Sequence, residues 1–150
     1  MTLRVIAVGS SAHRRPEGLD WDDLQSFGSD YNMAYCRAKL ANNLFTRELA
    51  RREAGAGIVA QAMHPGKVAS NFATHAEPQM QHHFATLDCL SPDVPARTIA
   101  WLASDSEGGR EAGRYFHDCA AIEPAPQALD MAAASRLWDE SAAILARLGF

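Results

Sequence analysis

The chain has 150 residues, 47% hydrophobic, 21% charged and 8% aromatic, with a formal net charge of -4. That balance fits a single globular domain over 1–150 and excludes global disorder, and no run of roughly 18 apolar residues offers a membrane span. Lys and Arg number 14 against 18 Asp and Glu, so the basic excess of a nucleic-acid binder is missing.

Leu3 to Val8 is a short apolar run rich in β-branched residues that ends at Gly9-Ser10-Ser11, which predicts a buried strand entering a loop. Ala12 to Asn32 is polar, with Gly, Pro and Asp scattered through it. It reads as loop, anchored by Trp21 and Leu24. Ala34 to Glu53 is rich in Ala, Leu, Arg and Glu, and Leu40, Leu44, Phe45 and Leu49 recur at helical spacing. This predicts a helix with one apolar stripe, stopped by Gly55 and Gly57. Gly57 to Met63 is a second apolar strand, broken by His64-Pro65-Gly66. A helix between two such strands is a βαβ unit, whose strands run parallel. Ser70 to Leu90 is polar and irregular, a long loop with at most a short helix. Val94 to Ser104 predicts a helix capped by Asp93, with Ile99 and Leu102 facing inward. Gly113 to Asp118 reads as a third strand. Pro124 and Pro126 mark a turn, and Leu129 to Leu148 reads as a final amphipathic helix with Leu137, Trp138, Ile144 and Leu148 in the core. The sum is an open α/β sheet of three parallel strands with flanking helices.

The glycine pairs Gly55/Gly57 and Gly108/Gly109 follow a helix and precede a strand, so they suit turns and caps and not a phosphate-binding turn. Tyr35 and Lys39 lie four apart on the strongest helix and share a face. An ammonium beside a phenol favours the phenolate, the form a tyrosine needs to exchange protons near neutral pH. Ser10 stands at the carboxyl end of the first strand, where α/β sheets place ligands. The second strand ends at the same edge with His64-Pro65-Gly66-Lys67-Val68-Ala69-Ser70. Three segments thus converge on one rim, with His64 expected as a loop histidine near the substrate rim. Two other chemistries fit less well. His82, His83, Asp88 and Cys89 match no closed metal site, and Ser10/Ser11 with His13 lack the Gly-x-Ser-x-Gly elbow of a serine hydrolase. Cys36, Cys89 and Cys119 form no disulfide framework, which with the lack of a signal-peptide pattern suggests a reducing, cytoplasmic setting.

Ser10, Tyr35-Cys36-Arg37-Ala38-Lys39 and Pro65-Gly66-Lys67-Val68-Ala69-Ser70 resemble the catalytic and cofactor segments of short-chain dehydrogenases/reductases. The flanking text, including Lys39-Leu40-Ala41-Asn42, Glu48-Leu49-Ala50-Arg51-Arg52, Gly113-Arg114-Tyr115-Phe116 and Leu137-Trp138, is similar to the retinol-dehydrogenase-like and WW-domain-oxidoreductase-like branch. The resemblance implies the C-terminal half of a Rossmann-like fold. It implies Ser10 on the substrate carbonyl or hydroxyl, with Ser11 the near rival, Tyr35 as proton donor or acceptor, and Lys39 holding the phenolate and the nicotinamide ribose. Pro65, Gly66, Val68 and Ser70 would contact the nicotinamide end of NAD or NADP. The substrate implied is a hydrophobic alcohol or carbonyl compound. Relatives carry a preceding half with the Gly-rich turn, so a truncated chain is expected, its sheet bare where a fourth strand would pair. A non-catalytic remnant that binds similar molecules is the alternative, and homo-oligomer formation stays open.

Overall fold

The computed structural model describes residues 2–74 and 76–150; Met1 and His75, the latter in the polar stretch after Ser70, lie outside the described residues. Strand β1 (Leu3–Val8) pairs in parallel with β2 (Ile58–Met63) over six residues, from Leu3 opposite Ile58 to Val8 opposite Met63. β2 pairs in parallel with β3 (Tyr115–His117), Ala62 facing Tyr115 and Met63 facing Phe116. The third strand begins two residues later than its apolar text suggests. Gly113, at φ +77, instead donates its N–H to the Ala60 carbonyl at 2.7 Å and turns the chain into β3.

The sheet has four strands and not three. β4 (Ala120–Ile122) returns antiparallel along β3, giving the order β1-β2-β3-β4. The turn between them uses Asp118 and Cys119, both left-handed at φ 45 and 59. Two consecutive positive φ values give the twist a tight hairpin needs, but the usual Asn-Gly or Asp-Gly signature is not there to announce it.

Helix α1 (Tyr31–Arg52) starts where Asp30 accepts from the Met33 N–H at 3.1 Å. Its Leu40 and Leu44 are buried against Ala128, Ala134 and Leu137, with Trp21 and Leu24 of the preceding loop packed on this cluster. Phe45 departs from the expected stripe: it is 44% exposed and stacks on Trp138 at 5.5 Å. The same helix also buries a charged group. Glu48 has no exposed surface and accepts from Arg51 and Arg52, and Arg52 continues to Asp139 at 3.2 Å. These guanidiniums hold the Glu48 carboxyl well below its usual range, at about 2.

The segment after β2 holds a short helix, α2 (Pro78–Ala85), behind a 3-10 turn at Asn71–Ala73. Helix α3 (Asp93–Ser104) begins at Asp93 itself, with Pro92 in the capping position, so Asp93 is not the cap. Leu102 of α3 packs with Met63 and Phe116, and Ile6 and Ile99 join them. The strand neighbours Ala62 and Tyr115 point the other way, toward Asn43 of α1. Alternation along β2 and β3 therefore buries the sheet between α3 and α1. Arg4 of β1 donates to the carbonyls of Leu102 and Asp105 at 2.7 and 2.6 Å, closing the C-terminal end of α3. Helix α4 (Met131–Arg147) lies along α1 with Leu137 buried; Leu148 falls past its end and is 68% exposed, outside the core assigned to it.

Candidate active site

Gly9 extends the parallel ladder by one bond, its N–H donating to the Met63 carbonyl at 2.6 Å. A Cβ here would stand 3.1 Å from that carbonyl and 3.5 Å from the Tyr115 ring, so the tight approach favours glycine. Ser10 then caps a 3-10 turn at Ser11–Arg14, its Oγ accepting from the Ala12 N–H at 3.2 Å. That bond occupies a lone pair and leaves the hydroxyl proton free to donate outward.

Tyr35 sits one turn into α1 and is half-buried. Lys39, a turn later, holds its Nζ 5.5 Å from the Tyr35 ring centroid and donates to the Val8 carbonyl at 3.1 Å. Burial lowers the Lys39 ammonium below its ordinary value. The same lysine thus faces the phenol and ties α1 to the end of β1, two residues before Ser10.

A cleft of about 540 Å³ opens at this edge. Ser10, Ser11, Tyr35 and Cys36 form one side, and Pro65, Gly66, Val68 and Ser70 the floor beyond β2. Of the seven residues to which the resemblance gives a catalytic or cofactor role, Ser10, Tyr35, Pro65, Gly66, Val68 and Ser70 line it, and Lys39 stands behind Tyr35. Gly66 takes φ +78, which turns the chain after Pro65. Val68 forms a bridge with Leu90. Ser70 caps the Asn71–Ala73 turn, its Oγ accepting from the Phe72 N–H at 3.3 Å.

The opposite wall comes from the polar, irregular segment between Ser70 and Leu90. Phe72, Met80, Phe84 and Leu87 line the cleft, with Phe72 5.6 Å from Tyr35 and 5.3 Å from Phe84, ring to ring. Met80, Phe84 and Leu87 do recur at helical spacing, the signal that could have found them.

His64 is corrected. It does not line the cleft but stacks behind it on His117 at 4.1 Å and on Tyr115 at 5.8 Å. Its Nδ1 accepts from the Gly66 N–H at 3.2 Å, so it braces the turn from beneath. Burial, then the neighbouring His117, holds this ring down to about 4. His13 is fully buried, and its Nδ1 meets the Ser10 carbonyl and not the hydroxyl, at 2.7 Å, which gives no Ser–His nucleophile pair. All three cysteines are free, and among the described residues no three His, Cys, Asp or Glu side chains gather to hold a metal ion. No helix among the described residues is long and apolar enough to cross a membrane.

No protein-family profile matches the chain. Individual relatives do. Retinol dehydrogenase 14 of Homo sapiens is 39% identical over 145 residues, covering 92% of this chain and 43% of that protein. Retinol dehydrogenase 13 of Homo sapiens is 36% identical over 151 residues, covering 95% and 45%. Dehydrogenase/reductase SDR family member 13 of Bos taurus is 39% identical over 145 residues, covering 92% and 38%. A crystal structure of a putative uncharacterized protein from Mycobacterium paratuberculosis superposes with a TM-score of 0.63 at 29% identity, over 92% of this chain and 48% of that one. The chain therefore spans less than half the length of the curated relatives it matches. Sequence and fold together put it in the short-chain dehydrogenase/reductase family, alongside the C-terminal part of the retinol dehydrogenases.

Proposed function

We propose that this cleft is the substrate and nicotinamide end of an NAD(P)-linked oxidoreductase acting between a hydrophobic alcohol and its carbonyl compound. The observation that carries the reading is the convergence of Ser10 and Tyr35 on one cleft with the Lys39 ammonium behind the phenol. The cleft chemistry fits the nicotinamide end: the Ser70 hydroxyl and the backbone from Pro65 to Val68 offer polar partners for a carboxamide beside an apolar wall. A nicotinamide bound there would supply or accept the hydride.

The chain's own groups move and hold the proton. In the reductive direction the Ser10 O–H donates a hydrogen bond to the carbonyl oxygen and orients it. The Tyr35 O–H then gives its proton to that oxygen as the carbon is reduced. In the oxidative direction the phenolate takes the alcohol proton back. Lys39 stabilises that phenolate through its positive charge. Phe72, Phe84 and Leu87 exclude water from the far side and accept an apolar body, which supports a hydrophobic substrate.

Fluorescence titration of the purified chain with NADH and NADPH tests the reading. Saturable binding together with turnover that Tyr35→Phe abolishes is expected. No binding up to millimolar cofactor removes it in favour of a fold that binds substrate-like molecules without turnover.

A further inference from the structure

We propose that His13 is a positioning residue for Ser10: a buried imidazole pinned at both nitrogens fixes the turn that presents the Ser10 hydroxyl. The assignment rests on the oxidoreductase reading only for what Ser10 does.

His13 has no exposed surface. Its Nδ1 lies 2.7 Å from the Ser10 carbonyl oxygen, and its Nε2 lies 3.0 Å from the Ala125 backbone nitrogen. A carbonyl only accepts and a backbone N–H only donates. Nε2 must therefore present its lone pair, and Nδ1 must carry the proton. A charged ring would set one N–H against another at Ala125. The group works as one neutral tautomer, and burial, which holds its pKa below the ordinary value, agrees. The Tyr115 hydroxyl, 3.4 Å from Nδ1 with its ring edge-on at 5.0 Å, closes the remaining side.

The far anchor gives the bond its meaning. Ala125 is buried and precedes the 3-10 turn that leads into α4. Arg14 donates to the Glu123 carbonyl at 2.5 Å, and Gln127 donates to the Pro16 carbonyl at 2.6 Å, so the same two segments are joined on either side of the ring. Ser10 and Tyr35 stand on different elements. Lys39 links α1 to Val8, and His13 links the turn after Ser10 to the base of α4. The Arg14 and Gln127 bonds hold the segment beyond the ring, but without His13 Nδ1 the Ser10 carbonyl keeps only the 3.2 Å bond from the His13 backbone N–H, and a displacement of about 1 Å against Tyr35 is enough to cost on the order of a hundredfold in rate.

The test uses the whole chain. Nitrogen-15 NMR of the histidine rings at neutral pH is expected to show His13 with Nδ1 protonated and Nε2 bare; the opposite tautomer or a charged ring overturns the proposal. Two variants separate the ends of the ring. His13→Asn keeps a donor where Nδ1–H stands, and His13→Gln keeps an acceptor where Nε2 stands. The amide resonances of Ser10, Ser11 and Ala12 should hold their places in His13→Asn and move in His13→Gln, and the Ala125 amide should do the reverse. Turnover should stay within about threefold in the first and fall about tenfold or more in the second, with KM little changed. Equal disturbance of the Ser10 turn by both variants, or by neither, overturns the assignment. Should either variant fail to fold, the wild-type tautomer decides. A chain that passes the spectroscopic test but turns over no carbonyl compound keeps the positioning assignment and loses the oxidoreductase reading.

Discussion

The two walls of the cleft are held in place by different means. Ser10 and Tyr35 stand on elements whose undersides are core: Leu40 and Leu44 of α1 are at most 1% exposed, and His13 is sealed beneath the Ser10 turn. Phe72, Met80 and Phe84 belong to a segment whose 3-10 turn and α2 contain no buried residue. That segment is fastened at its two ends by the pairing of Lys67 and Ala69 with Leu90, at 2.8 and 2.9 Å. The groups proposed to exchange protons would need a fixed place, and the core supplies one. Groups that touch the rest of a ligand sit on a strip with few buried contacts, the kind that opens at low free energy.

The largest expected effect breaks the first wall chemically. Tyr35→Phe should lower turnover about a thousandfold while the melting temperature stays at the wild-type value; steady-state kinetics beside a thermal melt would check both. The next breaks it physically. Leu40→Ala should cost about 2–5 kcal/mol in urea unfolding, because the side chain is fully buried. The matching change on the second wall, Phe84→Ala, should cost under about 1 kcal/mol and raise KM for an apolar substrate about tenfold. Equal losses of stability from the two substitutions would erase the distinction.

Acid should loosen the floor of the first wall. His64 titrates near 6.5 when unfolded and near 4 when folded. Between those values the unfolded chain binds the proton and the folded chain does not. The stability contribution is therefore complete above pH 6.5 and is lost as pH falls toward 4. Partial exposure of the ring discounts the loss to about 1–2 kcal/mol. Urea midpoints at pH 7 and pH 4.5, compared with those of His64→Gln, measure it, and an unchanged difference between the two proteins would remove the attribution. The smallest effect lies in the β3–β4 turn. Cys119→Gly should stabilise by about 0.5 kcal/mol by relieving a left-handed non-glycine backbone, read as a small rise in melting temperature.

The parts of the molecule that were legible in the sequence are those where one local rule decides. β1 and β2 are apolar runs broken once each, by Arg4 and Gln61, whose side chains donate to backbone carbonyls, and α1 shows Leu40 and Leu44 at helical spacing. Glu48 was not legible, because its burial depends on Arg51, Arg52 and, through Arg52, on Asp139 some 87 residues away. The β3–β4 hairpin was hidden because Asp118 and Cys119 are steadied by α3 and not by turn chemistry: Arg97 pairs with Asp118 at 2.7 Å, and Thr98 Oγ1 accepts from the Cys119 N–H at 3.1 Å. Within the cleft, Ser10 was legible from its place at a strand end and Tyr35 from its helical spacing to Lys39, whereas Pro65, Gly66, Val68 and Ser70 were marked out by resemblance; that they share one cleft is what the fold adds. The direction of the His64 ring was not legible, because it is set by tertiary stacking on His117 and Tyr115, which no local pattern encodes. The aromatic wall was masked by the shortness of α2, eight residues with two histidines among them.

Arg4 carries the only charge on β1, and its guanidinium is directed inward to the end of α3. An outward-pointing lysine on a border strand repels stray chains; an arginine committed to the interior does not. Among the described residues β1 pairs with β2 alone, which leaves a row of its amides and carbonyls along an otherwise uncharged seam. Any extended stretch that reaches this seam, from the same polypeptide or from another copy, can add itself as the next rung of the ladder.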